Sequence, residues 1–254
     1  LSQIPLIASR TNPQVKRWRE LASVSKARRA EGLVWIEGEH LLAEAQNAGW
    51  QIDTLICLEN STPFEVQARQ KVLVSSSVMA VISQLESPSK VVALLTMPPL
   101  LSLSTIDHDA LIMDGVQDPG NMGTLLRCAW AFGVSSALLT PGSASPWSMK
   151  ALRAGQGAQF WMNIEEGVTP QNIRKKLRVP LIATSLQKDA LALDKLDLRT
   201  PVAWAFGHEG QGLSRQLLDL AEHRVYIPMP GQAQSLNVAA AGAVCLYETL
   251  RQRR

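Results

Sequence analysis

The sequence predicts an α/β protein in two parts, and three observations carry that prediction. Short apolar runs rich in Val, Ile and Leu alternate with helix-period segments along most of the chain. The alternation breaks once, at Met97-Pro98-Pro99 and the polar stretch that runs on to Asp109. The chain has 254 residues, 46% of them hydrophobic and 19% charged, enough apolar content to fill cores rather than remain disordered. Strands that alternate with helices imply a mostly parallel sheet covered on both faces.

The elements follow in order. Asn12-Pro13 starts a helix, with Asn as cap and Pro at the first helical position, and Gly32 ends it. Val15, Trp18 and Leu21 recur at three-residue steps and form its buried stripe. Strand 33–36, helix 39–48, strand 52–58, helix 64–70, strand 71–74, helix 78–85 and strand 91–96 complete a small α/β unit over 1–97. A linker at 98–108 leads to a second unit over 109–254. Its expected order is strand 110–116, helix 123–132, strand 136–140, helix 147–154, strand 159–164, helix 170–178 and strand 181–185. Strand 202–206, helix 213–222, strand 224–227 and helix 236–251 close it.

Composition removes several function classes. The longest near-continuous apolar stretch, Val238–Leu246, is about half of what a membrane-spanning helix needs. Leu1-Ser2-Gln3-Ile4-Pro5 has neither the basic nor the apolar region of a secretory signal. Cys57, Cys128 and Cys245 lie far apart and form neither a disulfide framework nor a zinc pattern, so a reducing cytoplasm is the expected compartment. His40, His108, His208 and His223 do not cluster, and no metal site is expected. His208 sits in a glycine-rich loop, where a histidine is more often solvated than catalytic. The net charge is only +3, but Arg10 to Arg29 holds seven basic residues against Glu20. Arg10, Lys16, Arg17, Arg19, Arg28 and Arg29 of that cluster read either as a solvated helix face or as an electrostatic footprint suited to phosphates.

Three unusual loops follow strands, where ligands bind in open parallel sheets. The first is Asp114-Gly115-Val116-Gln117-Asp118-Pro119-Gly120-Asn121-Met122-Gly123; Asn121 is its candidate helix cap and Arg127 follows on the helix. An ordinary Pro-Gly turn with a surface arginine fits the same residues. The second is Gly207-His208-Glu209-Gly210-Gln211-Gly212-Leu213-Ser214. Its G-x-x-G-x-G spacing matches neither the dinucleotide fingerprint nor a phosphate loop, which disfavours NAD and ATP. Glu209 reads as a ligand contact or as a partner for a backbone N–H. The third is Ile227-Pro228-Met229-Pro230-Gly231 with Ser235-Leu236-Asn237-Val238, where Ser235 is the expected cap of the last helix and Asn237 falls in its first turn. The small residues Ala239 to Ala243 behind it make a thin helix face that another backbone could approach closely.

Asn121-x-Gly123-x-x-x-Arg127, Gly207-x-Glu209-Gly210-x-Gly212-Leu213-Ser214 and Ile227-Pro228-Met229-x-Gly231-x-x-x-Ser235-Leu236-Asn237-Val238 occur in that order. Together they resemble the signature motifs of the SpoU/TrmH (SPOUT) family of RNA 2′-O-ribose methyltransferases. Ser9-Arg10-x-Asn12-Pro13-x-Val15-Lys16 and Ile36-Glu37-Gly38 resemble the small RNA-binding domain, similar to a ribosomal protein, that precedes the catalytic domain in many members. One departure is Gly155, in Arg153-Ala154-Gly155-Gln156-Gly157-Ala158, where many relatives carry Ser.

The resemblance implies a Rossmann-like parallel sheet with a C-terminal trefoil knot, a homodimer through the C-terminal domain, and bound S-adenosyl-methionine. It implies cofactor contacts at Gly207, Gly210, Ile227, Met229, Gly231 and Leu236, and catalytic roles for Asn121, Arg127, Glu209, Ser235 and Asn237. The family proposal makes the arginine matching Arg127 a base. Guanidinium is effectively always protonated, so phosphate binding and stabilisation of the developing alkoxide form an equally good role. The implied substrate is ribosomal RNA, contacted in the N-terminal domain by the cluster Arg10, Lys16, Arg17, Arg19, Arg28 and Arg29. The alternatives are transfer RNA, and a non-catalytic RNA-binding protein on the same fold.

Overall fold

The computed structural model of the protein describes residues 4–61, 64–97, 99, 102–187 and 189–254. Pro98, Leu100 and Leu101 of the expected linker, and Leu1, Ser2 and Gln3 of the N-terminal stretch, lie outside that set. Contacts divide the chain into two units: Leu1–Pro99 with Trp147–Leu152, and Leu100–Pro146 with Arg153–Arg254.

The first unit runs β1 (Leu6–Ile7), α1 (Pro13–Ser23), α2 (Ser25–Glu31), β2 (Leu33–Glu37), α3 (Glu39–Asn47), β3 (Ile52–Leu58), β4 (Gln70–Val74), α4 (Ser76–Ile82) and β5 (Val91–Thr96). Its sheet has the order β1-β4-β3-β5-β2. β5 is antiparallel to both β2 and β3, so this sheet is mixed and not mostly parallel. Periodicity identifies a strand but not its direction, which the connection at 83–90 fixes here.

Asn12 caps α1 through Gln14 N (2.8 Å), and the stripe Val15, Trp18, Leu21 is buried in the core with Trp35, Ile56 and Leu94. The expected single helix is in fact two, broken at Val24. The cause lies in Arg28, which is 6% exposed. Its guanidinium donates to Leu21 O (2.5 Å), Ala22 O (3.0 Å) and Ser25 Oγ (3.0 Å), satisfying carbonyls at the end of α1. Arg28 therefore leaves the proposed RNA cluster, because a buried guanidinium held by carbonyls cannot reach a phosphate. Residues 64–68 form no helix; Arg69 N already donates to Ile52 O (3.0 Å) and leads into β4 beside β3. Glu37 is buried and accepts from Trp35 Nε1 (3.0 Å), Ser83 Oγ (2.8 Å) and Gln84 N (2.8 Å), so the Ile36-Glu37-Gly38 motif ties β2 to the end of α4.

The second unit contains β6 (Ala110–Asp114), α5 (Pro119–Ala131), β7 (Ser136–Leu139), β8 (Asn163–Glu166), α7 (Pro170–Lys176), β9 (Leu181–Thr184), β10 (Leu191–Ala192), β11 (Ala203–Gly207), α8 (Arg215–Leu220), β12 (His223–Tyr226) and α9 (Val238–Gln252). The helix α6 (Met149–Gly155) spans the division between units. The sheet order is β10-β12-β9-β11-β6-β7-β8, and every neighbouring pair is parallel. β11 shows the period-two logic of a covered sheet. Ala203 and Ala205 enter the core with Ile112, Leu138, Leu181 and Leu217. Trp204 donates from Nε1 to Thr249 Oγ1 (3.0 Å) on α9.

Three local expectations fail in this unit. A strand at 159–164 is replaced by a 3-10 turn over Ala158–Trp161, initiated at Gly157 (φ 82°), and β8 follows it. Asp118, not Asn121, caps α5 through Asn121 N (2.9 Å), since Asp-Pro supplies both the cap and the first helical residue. Asn237, not Ser235, caps α9. At Gly155 an added Cβ would meet the Gln159 carboxamide, 2.7 Å from Nε2, so the buried Gln159 fills the space a side chain at 155 would take.

Candidate active site

The three loops converge because their parent strands do. β6 and β11 are neighbours in register, with Asp114 opposite Gly207, so the first two loops leave the same edge of the sheet. Asp114 is buried and links them directly: Oδ2 accepts from Ser214 N (2.7 Å) and Oδ1 from Thr140 Oγ1 (2.8 Å). Thr140 and Ser143 also accept from Gly115 N (3.0 and 3.1 Å). Asp114 and Thr140 fall outside the motifs that mark the loops. The available signal was a carboxylate ending an apolar strand directly before a glycine.

A chain of amides then joins all three loops. Glu209 accepts from Asn121 Nδ2 (3.0 Å), Asp118 N (3.2 Å) and Gln117 N (3.3 Å). Asn121 Oδ1 in turn accepts from Asn237 Nδ2 (2.9 Å). Asn237 Oδ1 accepts from Ala239 N (2.9 Å) and Ala240 N (3.3 Å), capping α9. Each amide has its orientation fixed by a partner that can only donate or only accept. Partial burial pushes the Glu209 carboxyl up, but the Asn121 amide and the backbone N–H groups together outweigh it, and the group sits below the usual carboxylate range.

Beside this chain lies a cavity of about 710 Å³, within the range of small-molecule sites. Gly207, Glu209, Gly210, Ile227, Met229, Ser235, Leu236 and Asn237 line it. Thr184, Ser185, Leu186 and Tyr226, which the sequence did not single out, line it too. Asn121 stands behind the wall, holding Glu209 and Asn237. Gly231 and Arg127 are outside the described lining; Arg127 is exposed on α5. Gly207 needs to be glycine for the loop's own sake, since a Cβ there would collide with the backbone of Gly212 and Leu213.

The mixture of apolar side chains, glycines and loop backbone suits a nucleoside-containing ligand better than a metal. Among the described residues, no group of three or more His, Cys, Asp or Glu is placed to hold an ion.

The RNA-cluster residues divide by environment. Lys16, Arg19 and Arg29 are exposed on α1 and α2. Arg17 is exposed and ion-paired with Glu31, and Arg10 Nε donates to Ser77 O (3.2 Å).

Comparison with known proteins gives consistent matches for both parts of the chain. The SpoU rRNA Methylase family model matches residues 109–247, and the MRM3-like substrate binding domain model matches residues 12–93. An uncharacterized tRNA/rRNA methyltransferase of Synechocystis is 36% identical, over 99% of this chain and 96% of its own length. The 23S rRNA (guanosine(2553)-2′-O)-methyltransferase RlmP of Bacillus subtilis is 33% identical, over 95% of this chain and 97% of its own. The AdoMet-bound rRNA methyltransferase of Sinorhizobium meliloti superposes with a TM-score of 0.85 at 28% identity, covering 98% of each chain.

Proposed function

Because the chain belongs to the SpoU rRNA methylase family, we propose that it transfers a methyl group from S-adenosyl-methionine to a ribose 2′-hydroxyl of ribosomal RNA. The observation that carries the reading is the hydrogen-bonded chain Glu209–Asn121–Asn237, which fastens three loops around one cavity. The cavity fits the cofactor in volume and in lining. Gly207, Gly210, Ile227, Met229 and Leu236 would hold it, with Met229 beside the adenine. When bound, its sulfonium supplies an already activated methyl group.

The difficulty left to the protein is the hydroxyl, a weak nucleophile until its proton departs. Ser235 lies on the cavity wall where it can orient a ribose, and Glu209, Asn121 and Asn237 keep that wall in place. Arg127 is the cation assigned to the RNA phosphate and to the developing alkoxide. It is exposed on α5 and is not among the described lining residues of its own chain's cavity, which supports a role in the site of a second subunit. A homodimer is supported by the exposed apolar side chains of the same region: Trp130 on α5 stacks on Trp161, and Val244 and Tyr247 project from α9. A trefoil knot is consistent with the path from β12 through 227–237 to α9, which packs on α5 and β11.

Residues 1–97 form the RNA-binding domain in this reading, 98–108 the linker and 109–254 the methyltransferase domain. Contacts to RNA come from the exposed cations Arg10, Lys16, Arg17, Arg19 and Arg29. Ribosomal RNA is favoured over transfer RNA because RlmP, named for a 23S rRNA guanosine, matches along nearly the whole chain, the N-terminal unit included. The cytoplasm is the compartment this reading favours, since RlmP is an enzyme of a bacterium.

The test is to map 2′-O-methyl groups in ribosomal RNA from a deletion strain and to restore the missing one in vitro. The purified protein should label that RNA from methyl-tritiated S-adenosyl-methionine, with and without chelator. A complete set of rRNA methyl groups in the deletion strain, with label entering transfer RNA instead, would overturn the substrate assignment.

A further inference from the structure

Resting on the cofactor reading above, we propose that His208 is a positioning residue: its neutral imidazole works as an internal cap that folds the 207–212 loop against the cavity and delivers Glu209 to the first loop. His208 Nδ1 accepts from Gly210 N (2.9 Å) and from Gln211 N (3.3 Å). The backbone closes the same loop from the other side, His208 N to Gly212 O (3.0 Å) and Gly212 N to His208 O (2.8 Å). Both imidazole contacts need a lone pair on Nδ1, which fixes the tautomer with its proton on Nε2.

The consequence falls on the residue in between. With the amides of 208, 210, 211 and 212 engaged inside the loop, Glu209 is the side chain that leaves it, and it reaches Gln117 N, Asp118 N and Asn121 on the first loop. His208 therefore acts through Glu209 and through the cavity wall formed by Gly207, Gly210 and Gly212. The same device recurs in this chain with a different side chain. Asn237 Oδ1 accepts from the N–H groups two and three residues ahead at 2.9 and 3.3 Å. Those are the same offsets and distances as at His208. An asparagine at 208 can thus replace the imidazole as acceptor, whereas alanine cannot.

The experiment measures S-adenosyl-homocysteine binding by calorimetry, and methyl transfer to ribosomal RNA, for wild type, His208→Ala and His208→Asn. Losing two backbone hydrogen bonds should weaken cofactor binding about tenfold in the Ala variant. KM for S-adenosyl-methionine should rise with it while kcat falls less. His208→Asn should return both constants to within about threefold of wild type, since an amide oxygen makes equivalent bonds. Thermal midpoints of all three should agree, because Gly210 and Gln211 are exposed and water takes over the bonds their N–H groups lose. In unliganded wild type, the Gly210 and Gln211 amides should also be protected in hydrogen exchange relative to an open loop. Unprotected amides, equal affinity of the Ala variant, or Asn as defective as Ala would overturn the role of His208 and leave the cofactor reading intact. Failure of the wild type itself to bind would remove the cofactor reading and this inference together.

Discussion

At Arg28 the guanidinium is committed to Leu21 O, Ala22 O and Ser25 Oγ, and burial pushes its pKa down. Arg28→Met should therefore cost about 1–3 kcal/mol by leaving carbonyls unpaired, visible as a lower thermal midpoint, with RNA affinity unchanged. Lys16→Gln with Arg19→Gln should do the reverse: intact stability, weaker RNA binding, and a salt slope reduced by roughly one unit per lost phosphate contact. Arg127→Ala should keep fold and cofactor binding and lower methyl transfer by about 10²- to 10⁴-fold, measured on the native RNA. Arg127→Lys separates a bidentate phosphate contact from simple charge, because lysine keeps the charge and loses the fork. Glu209 makes the one pH-dependent contact of the amide chain. Its folded pKa is depressed, so its contribution is complete above the ordinary carboxyl range and is lost as pH falls through the depressed value. The amide resonances of Gln117 and Asp118, titrated towards acid, should move with that group, and Glu209→Gln should abolish the shift.

Elements with strong periodicity were legible in the sequence, and those whose form depends on a single tertiary contact were not. The stripe Val15–Trp18–Leu21 announced its helix, but the break at Val24 depends on Arg28 reaching back to carbonyls that no local pattern displays. The motif residues fall on three loops that the fold brings together beside one cavity. Asn121 and Ser235 are good capping residues by type, but Asp118 and Asn237 hold the cap positions. That exchange frees Asn121 for Glu209 and leaves Ser235 on the cavity wall. The small-residue face of α9 was likewise only half legible. Gly242 is turned inward, and a Cβ there would collide with Leu125 of α5 and touch Phe206 (3.7 Å), so the close approach it permits is within the chain. Gly242→Val should destabilise by about 1–3 kcal/mol through overpacking. The double variant Gly242→Val with Leu125→Ala should recover part of that loss, and denaturant titration of the four proteins measures the coupling.

The whole-molecule question is whether one chain suffices. Arg127 is exposed on α5, and its own chain's cavity has no described lining from that residue. The outward face nearby carries Trp130 at 39% exposure and Tyr247 at 55%, large apolar surfaces for a lone chain to leave in water. Both facts fit a symmetric dimer in which each arginine serves the other subunit's site, and light scattering should give twice the monomer mass at micromolar concentration. A complementation experiment decides where the arginine acts. Arg127→Ala keeps its cavity and lacks the arginine; Asn237→Ala keeps the arginine and has a damaged cavity. Each alone should be nearly inactive. When the two are co-expressed in equal amounts, half of the dimers are mixed. If Arg127 acts across the interface, each mixed dimer holds one intact site and one doubly damaged site, so activity should return to roughly a quarter of wild type. If Arg127 acts within its own chain, every site in every dimer carries one defect, and the mixture should be as inactive as its parents. Adding Tyr247→Glu to both chains should dissociate the dimer and abolish the recovered activity, while leaving the cofactor cavity of each chain able to bind.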